Sequence, residues 1–286
     1  MAAPIRPAAV TSLAVVVLVV APAAAWLCLV AFLWWQQDRM IFPGWGFGMV
    51  QASGVGPGAE RLELVTPDGV RLVGALQRAT LPSRGLVLLF GGNAEDVDAR
   101  LRAVGGYLHD VDLVTFFYRG YGPSGGRPSE AGLVADAALI HDRMVELLRP
   151  ARVVAVGFSL GSGVAAQLAR ARPLAGAILV TPFDSILALA SGRYPFVPVP
   201  RLLRHPFRSD LALAGLDLPV AVIAAEQDGI VPPAHTRRLI AALTHPVLVA
   251  WIPGADHVSI YDQPAYREAL MAALDRLLAD AGVRCG

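Results

Sequence analysis

The hydrophobic positions of this 286-residue chain form one long apolar run near the N-terminus and a series of shorter runs after it. From Ala8 to Trp35 no residue is charged. As a helix, Val10–Leu33 would be about 36 Å long at roughly 1.5 Å per residue. A bilayer has a hydrocarbon core of about 30 Å, so the run predicts one tilted membrane-spanning helix.

A cleaved signal peptide is the main competing interpretation. Ala21-Pro22-Ala23 and Ala23-Ala24-Ala25 both resemble small-residue cleavage sites. The apolar run continues past Ala25, however, whereas the apolar part of a signal peptide spans only about 7–15 residues. We therefore predict an uncleaved anchor over residues 1–35, a Gly- and Pro-rich connector over 36–58 and the main folded domain over 59–286. The remaining alternative is a buried helix of a soluble protein.

The charges that flank the apolar run give a slight indication of its orientation. Arg6 and the α-amino group precede it, whereas Asp38 and Arg39 follow it. Because positive charge favours the cytoplasmic side, the N-terminus is expected in the cytoplasm. The chain is then a single-pass membrane protein whose main domain, residues 59–286, lies outside the cytoplasm.

Beyond the connector, apolar runs typical of strands alternate with patterns typical of helices. Pro67-Asp68-Gly69 is a turn signal between two such runs and predicts a β-hairpin. The predicted strands are 61–65, 70–77, 85–90, 112–117, 152–156, 177–180, 219–225 and 247–251; the predicted helices are 95–108, 130–148, 160–171, 233–243 and 264–281. This alternation predicts an α/β fold with a mostly parallel central sheet and helices on both faces.

Composition and charge exclude several function classes. The net charge is +1, so there is no electrostatic case for nucleic-acid binding. The only cysteines, Cys28 in the apolar run and the penultimate residue Cys285, are too few and too badly placed for a disulfide framework or a zinc site. Hydrophobic residues make up 55% of the chain, partly because of the N-terminal run. Because α/β sheets of the predicted kind bind ligands at the carboxyl ends of their strands, the functional residues are best sought in the loops that follow the strands.

A Gly-x-Ser-x-Gly motif, Gly157-Phe158-Ser159-Leu160-Gly161, lies between a predicted strand and a predicted helix. By itself the pattern is weak, but this context is that of a nucleophile elbow. The turn is so tight that the residues two before and two after the serine must be small, as Gly157 and Gly161 are. The sequence therefore predicts Ser159 as a nucleophile; the alternative is an ordinary strand–helix turn.

A neutral serine needs a base, and that base needs an acid to orient it. Among six histidines, His257 lies in the loop between the last predicted strand and the last helix. Hydrolases with this elbow have the chain order Ser, acid, His, which favours Asp228 after the strand 219–225. Glu226 and Asp256 are the alternative acids, and Asp228 also fits a simple turn before Gly229.

Gly91-Gly92-Asn93-Ala94 follows the strand 85–90 and predicts an oxyanion hole. Two glycines let backbone N–H groups approach a substrate carbonyl, and the second donor comes from the residue after the nucleophile. The expected donors are the N–H groups of Asn93 and Leu160. A simple glycine turn is the alternative.

With these motifs, the chain resembles membrane-anchored α/β-hydrolases of the serine-aminopeptidase-like type, which include eukaryotic protein depalmitoylases and bacterial relatives. The resemblance runs from about residue 36 to the end. It rests on the blocks Arg39-Met40-Ile41-Phe42-Pro43, Gly92-Asn93-Ala94-Glu95, Tyr118-Arg119-Gly120-Tyr121-Gly122-Pro123-Ser124-Gly125-Gly126-Arg127-Pro128-Ser129-Glu130, Thr181-Pro182-Phe183-Asp184-Ser185 and Pro253-Gly254-Ala255. Three positions depart from the family pattern: Gly91 replaces His, Phe117 replaces Asp or Asn, and Asp256 replaces Gly. Asp256 adjoins His257 and is expected to affect that base.

The resemblance implies an α/β-hydrolase fold and action on esters, thioesters or amides. We predict a serine hydrolase that cleaves carboxylic ester or thioester bonds through an acyl-enzyme, with no metal or cofactor, on a small-molecule or lipid-like acyl substrate. Residues 185–215 carry the apolar stretch 194–199 and predict a small lid and acyl pocket, unless they only pack on the core. The alternatives are an aminopeptidase or amidase of the same fold, or a non-catalytic relative that binds a lipid or a partner.

Overall fold

An eight-stranded sheet flanked by helices follows an N-terminal helix in the computed structural model, which describes residues 16–43, 45, 58–93 and 95–279. The strands are β1 (Glu60–Val65), β2 (Arg71–Gln77), β3 (Leu86–Phe90), β4 (Asp112–Phe116), β5 (Val153–Phe158), β6 (Gly176–Val180), β7 (Val220–Ala225) and β8 (Pro246–Ile252). The helices are α1 (Ala21–Ile41), α2 (Val97–Gly105), α3 (Glu130–Leu148), α4 (Leu160–Ala171), α5 (Ile186–Arg193), α6 (Val199–Leu202), α7 (Ser209–Leu213), α8 (Pro233–Ala242) and α9 (Pro264–Leu278). Arg6, Cys285 and the connector residues 44 and 46–57 lie outside the described residues.

The order of the strands is β1-β2-β4-β3-β5-β6-β7-β8. Strands β3 to β8 pair in parallel, whereas β2 pairs antiparallel with both β1 and β4. The predicted mostly parallel α/β sheet with a hairpin at its edge is therefore confirmed. Because β3 lies beside β5, the loop after β3 meets the Ser159 turn after β5 at one edge of the sheet.

The central strands are buried along their whole length, as expected for a parallel sheet covered on both faces. Along β5, Val154 and Val156 pack in one layer with Leu274 of α9. Ala155 packs in the other layer with Leu168 of α4. Two apolar layers hold the sheet rigid, and the loops at its carboxyl edge therefore start from fixed positions.

The N-terminal helix is long and apolar enough to cross a membrane. The candidate span covers Val17–Ile41, which is 25 residues, and an 18-residue stretch of it has a mean hydropathy of 2.4. Large apolar side chains along it are exposed, among them Leu18, Leu27 and Phe32. This apolar surface is consistent with membrane anchoring.

The carboxyl-terminal end of α1 is docked on the rest of the protein through polar contacts. Asp38 is buried, and its two carboxylate oxygens pair with Arg204 (Nη1–Oδ1 2.8 Å) and Arg127 (Nη2–Oδ2 2.5 Å). Gln37 donates to the carbonyl of Leu202 and accepts from the Arg204 backbone N–H. These contacts fix the C-terminal end of α1 against the segment that follows α6.

His205 completes this contact. Its Nε2 lies 3.4 Å from an oxygen of Asp38, and its Nδ1 accepts the backbone N–H of Glu130 at 3.3 Å. Burial lowers the pKa of His205, although Asp38 opposes this shift. The neutral ring is the form that can accept the Glu130 N–H while facing Asp38.

The start of the predicted connector is helical in the structure. Helix α1 continues through Ile41 instead of ending near residue 35, and Phe42 is fully buried against His205 and Phe207. The physical reason is that Gln37 and Asp38 end the apolar run but find hydrogen-bond partners elsewhere in the fold. The helix therefore has no need to stop at the first polar side chain.

We expect Asp38→Asn to lower the free energy of unfolding by about 2 kcal/mol, because charge-assisted hydrogen bonds are typically worth roughly 1.5–3 kcal/mol. For a domain of this size, Tm should fall by about 4–8 °C. Thermal unfolding of the full chain in detergent, followed by circular dichroism, measures the shift. Asp217→Asn is the control, since that side chain is 93% exposed. Equal melting temperatures for the two variants would contradict the docking role.

Candidate active site

Ser159 occupies the tight turn between β5 and α4. Its backbone has φ 49° and ψ −113°, a region that residues other than glycine rarely adopt. Such a conformation costs on the order of 1–3 kcal/mol and persists only where the surroundings enforce it. The serine is thus held at the end of a buried strand with its side chain directed out of the sheet edge.

Close backbone contacts explain the two glycines of the motif. A Cβ added at Gly161 would lie 2.0 Å from the carbonyl oxygen of Phe90, at the end of β3. One added at Gly157 would lie 2.3 Å from the carbonyl oxygen of Gly161. Neither space admits a side chain, so α4 can start against β3 only with glycine at both positions.

A continuous chain of hydrogen bonds joins the side chains of Ser159, His257 and Asp228. The Oγ of Ser159 lies 2.8 Å from Nε2 of His257, and Nδ1 of His257 lies 2.7 Å from Oδ2 of Asp228. The His257 side chain is 11% exposed and that of Asp228 is 3% exposed. The loops after β5, β7 and β8 deliver these three groups to one point at the carboxyl edge of the sheet.

Asp228 is oriented by its own loop. Its Oδ1 accepts the backbone N–H groups of Ile230 (2.9 Å) and Val231 (2.7 Å), which leaves Oδ2 directed at the imidazole. With Oδ2 on Nδ1, the ring tautomer that carries its proton on Nδ1 presents a free lone pair at Nε2 to Ser159.

The two alternative acids are held elsewhere. Glu226 accepts the backbone N–H of Gly254 at 3.4 Å. One oxygen of Asp256 accepts the N–H groups of Val258 and Ser259 and the Ser259 hydroxyl, and the Ser259 N–H is the main cause of the lowered pKa of Asp256. Asp256 therefore caps the turn after the histidine, which explains why this departure from the family pattern is tolerated.

The loop after β3 brings Asn93 beside the serine. Gly92, Asn93 and Leu160 line a cavity of about 610 Å³ together with Ser159 and His257. Leu160 is the first residue of α4, where a helix leaves backbone N–H groups without intrahelical acceptors. The two N–H groups predicted as oxyanion donors thus belong to residues of the same cavity as the Ser159 hydroxyl.

Two tyrosines brace this loop from the opposite side. The hydroxyl of Tyr118 donates to the carbonyl of Gly91 (2.8 Å), and that of Tyr121 donates to Oδ1 of Asn93 (2.9 Å). Both belong to the long block 118–130, to which the sequence analysis assigned no role. The two tyrosines are visible in the sequence of the block. Only the pairing of β3 with β4 shows that their hydroxyl groups reach this loop.

Arg119, between these tyrosines, holds the same region to the hairpin and to α3. It pairs with Asp136 on α3 and with Asp68 in the β1–β2 turn. The bond from Arg119 lowers the pKa of Asp68 to about 2. The block 118–130 is therefore a structural support for the β3 loop.

A nearly buried ion pair between Glu95 and Arg100 was not predicted. One oxygen of Glu95 contacts Arg100 through both Nε and Nη2, and the other accepts the Gly92 N–H at 2.5 Å. The guanidinium lies 3.8 Å from the ring centroid of Tyr261 and 4.9 Å from that of Phe158. Glu95 stands in the family block quoted above, but nothing in its spacing indicates that it holds Gly92.

Proteins of similar sequence place the chain in a family. An uncharacterised protein of Mycobacterium tuberculosis strain H37Rv is 38% identical over 246 residues, 82% of this chain and 87% of that protein. An alpha/beta hydrolase domain-containing protein of Arabidopsis thaliana is 32% identical over 202 residues (64% and 66%), and an uncharacterised membrane protein of Saccharomyces cerevisiae is 30% identical over 223 residues (73% and 78%). This chain belongs to the α/β-hydrolase family. No family model matches it.

Solved structures agree with this hydrolase in fold. An alpha-beta hydrolase from Vibrio vulnificus superposes with a TM-score of 0.65 at 18% identity and covers 83% of this chain and 92% of its own. An esterase from Pyrococcus furiosus superposes with a TM-score of 0.62 at 20% identity, covering 77% and 93%. Fold and relatives together support hydrolase activity.

Apolar side chains form most of the cavity of this hydrolase. Met40 and Ile41 of α1 and Ile186 and Leu189 of α5 form one wall; Phe183, Ile230, Val231 and Val258 form much of the rest. Tyr261 also lines the cavity, but burial raises its pKa to about 12, so it stays protonated near neutral pH. His257 is the side chain of this lining that contacts the Ser159 hydroxyl through a ring nitrogen.

Proposed function

We propose that this protein is a membrane-anchored serine hydrolase that cleaves carboxylic ester or thioester bonds through an acyl-enzyme intermediate. The observation that carries the proposal is the hydrogen-bonded chain from Ser159 through His257 to Asp228 at an apolar cavity. A serine hydroxyl is a weak nucleophile until a base removes its proton, and this arrangement supplies that base with an orienting acid.

In the first step, His257 Nε2 takes the Ser159 proton as Oγ attacks the substrate carbonyl carbon. The carbonyl π electrons move to oxygen, and the backbone N–H groups of Asn93 and Leu160 bind the resulting oxyanion. When this tetrahedral species collapses, the bond to the alcohol or thiol breaks and the imidazolium returns a proton to that leaving group. Asp228 stabilises the imidazolium and fixes the tautomer of the neutral imidazole.

In the second step, His257 takes a proton from water as the water oxygen attacks the acyl-enzyme. Collapse of the second tetrahedral species releases the carboxylic acid and returns the proton to Ser159. Side chains, backbone N–H groups and water account for every proton and bond in both steps. The apolar walls favour a substrate whose acyl group is hydrophobic or lipid-like.

The charges of the cavity favour this reading over an aminopeptidase. A peptidase of that kind needs an acidic group to pair with the substrate amine. Among the described residues that line this cavity, Glu95 is the one carboxylate, and Arg100 and Gly92 already engage both of its oxygens. A non-catalytic lipid- or partner-binding protein would not need a base within 2.8 Å of a strained serine.

We expect Ser159→Ala to lower ester hydrolysis by ~10⁴-fold or more, as is typical when a triad member is removed. Labelling by a fluorophosphonate probe should disappear in the same variant. The assay is hydrolysis of p-nitrophenyl esters and a thioester by purified full-length protein. Ser83→Ala is the control, because Ser83 precedes β3 at the opposite edge of the sheet. Normal turnover by a folded Ser159→Ala protein would refute the proposal.

The three carboxylates near the base should differ sharply. Asp228→Asn should lower kcat by about 10⁴ with little change in KM, because the imidazole loses the group that selects its tautomer. Glu226→Gln and Asp256→Asn should have small effects, since both carboxylates bind backbone N–H groups away from the ring. Steady-state kinetics of the three variants decide between them. A small effect at Asp228 with a collapse at either other position would overturn the assignment.

We also propose that the protein is a single-pass membrane protein with its catalytic domain outside the cytoplasm. The apolar span Val17–Ile41 supports anchoring, and the excess positive charge before the run supports the orientation. The full chain should stay in the pellet after carbonate washing, whereas a form lacking residues 1–35 should be largely soluble. External protease should digest the catalytic domain in intact cells. Full-length protein in the carbonate supernatant would contradict anchoring, and complete protection from protease would contradict the orientation.

A further inference from the structure

Three neighbouring cavities adjoin the C-terminal end of α1. The first is the 610 Å³ cavity that contains Ser159, and the second, of about 660 Å³, reaches Tyr194 and His235. The third, of about 90 Å³, lies between α1 and the segment 186–203. Met40 and Ile41 line all three. The cavity that contains Ser159 and the third cavity therefore adjoin at these two residues of α1.

The third cavity is almost entirely apolar. Its lining is Leu33, Trp34, Gln37, Met40 and Ile41 from α1, with Ile186, Ala190, Tyr194, Val197, Val199, Leu202 and Leu203 from the facing segment. The side chain of Gln37, the most polar member, is already hydrogen-bonded to the backbone at Trp34, Leu202 and Arg204. The surface left to an occupant is hydrocarbon and aromatic, which suits a hydrocarbon chain and no polar ligand.

The facing segment follows α1 well beyond the cavity. Trp26 donates its indole N–H to the carbonyl of Phe196 at 2.9 Å. Trp26 lies about 21 Å from Met40 along the helix axis, at ~1.5 Å per residue. Phe196 is 82% exposed, and apolar side chains of α1 such as Leu29 are exposed as well. The tip of the segment therefore reaches the part of α1 that would be surrounded by lipid.

We propose that the membrane helix is itself part of the substrate site. Its inner face, together with α5 and α6, binds the acyl chain of the ester whose carbonyl is attacked by Ser159. The chain enters from the bilayer between α1 and the tip at Phe196, and Leu33 and Ala190 contact it from opposite walls. This inference rests on the proposed ester hydrolysis, and it commits to a hydrocarbon acyl chain as the occupant.

A site of this kind makes the reaction sensitive to acyl-chain length. An acetyl group is bound near Ser159 alone, whereas a long chain continues past Met40 and Ile41 into the third cavity. Filling that cavity should therefore impair long-chain substrates and spare short ones. A loss of at least about tenfold is reasonable, since even one methylene in an apolar pocket changes specificity by roughly 10–200-fold.

The test uses full-length protein in nanodiscs of ether-linked phospholipid, which carries no ester-linked acyl chain. Hydrolysis of p-nitrophenyl acetate, octanoate and palmitate is compared for Ala190→Trp and Leu33→Trp. The matched controls are Ala188→Trp on the same helix as Ala190 and Leu27→Trp on the same helix as Leu33. Neither control position is among the residues that line the three cavities.

We expect both test variants to lose at least about tenfold in kcat/KM for palmitate while acetate stays within about twofold, with both controls near wild type. Unchanged or equally reduced activity on all esters would overturn the inference while leaving ester hydrolysis intact. A length-dependent loss in Ala190→Trp but not in Leu33→Trp would overturn the part played by the membrane helix. If the wild-type protein hydrolysed none of the esters, the proposed function itself would fail.

Discussion

The close approach of α4 to the end of β3 is the constraint on which the site depends. A side chain at Gly161 would collide with the Phe90 carbonyl, so the helix starts immediately beside the neighbouring strand. Ser159 has its strained backbone at this contact, and Gly92, Asn93 and Glu95 line the cavity that contains the serine. The proposed nucleophile and the residues proposed to bind the oxyanion therefore meet where the backbones of α4 and β3 pack closely.

Several side chains hold the loop proposed to bind the oxyanion. Tyr118 and Tyr121, from the segment after β4, bind Gly91 and Asn93, and Glu95 binds the Gly92 N–H while Arg100 neutralises its charge. Preorganised donors stabilise a developing oxyanion more effectively than mobile ones, since they need not reorient during the reaction. The many hydrogen bonds around this short loop are consistent with such a requirement.

The end of α1 joins the membrane segment to the hydrolase domain. Asp38 and Gln37 dock the helix on the loop after α6, and the next residues, Met40 and Ile41, form a wall of the cavity that contains Ser159. An anchor that merely tethered the domain would not need these buried polar contacts. Because docking and lining residues are adjacent on one rigid helix, the position of the helix and the shape of the cavity are linked.

The sequence by itself determined what depends on local pattern: the apolar run, the order of strands and helices, the glycine-flanked serine, and the candidate positions His257, Asp228, Asn93 and Leu160. These follow from periodicity, turn chemistry and the loops after strands. Only the tertiary structure decided the strand order, the bracing of the loop by Tyr121 and Glu95, and the docking of Asp38. Those features join residues far apart in the chain, and spacing along a sequence carries no distance between segments until the sheet and its two packed layers bring them together.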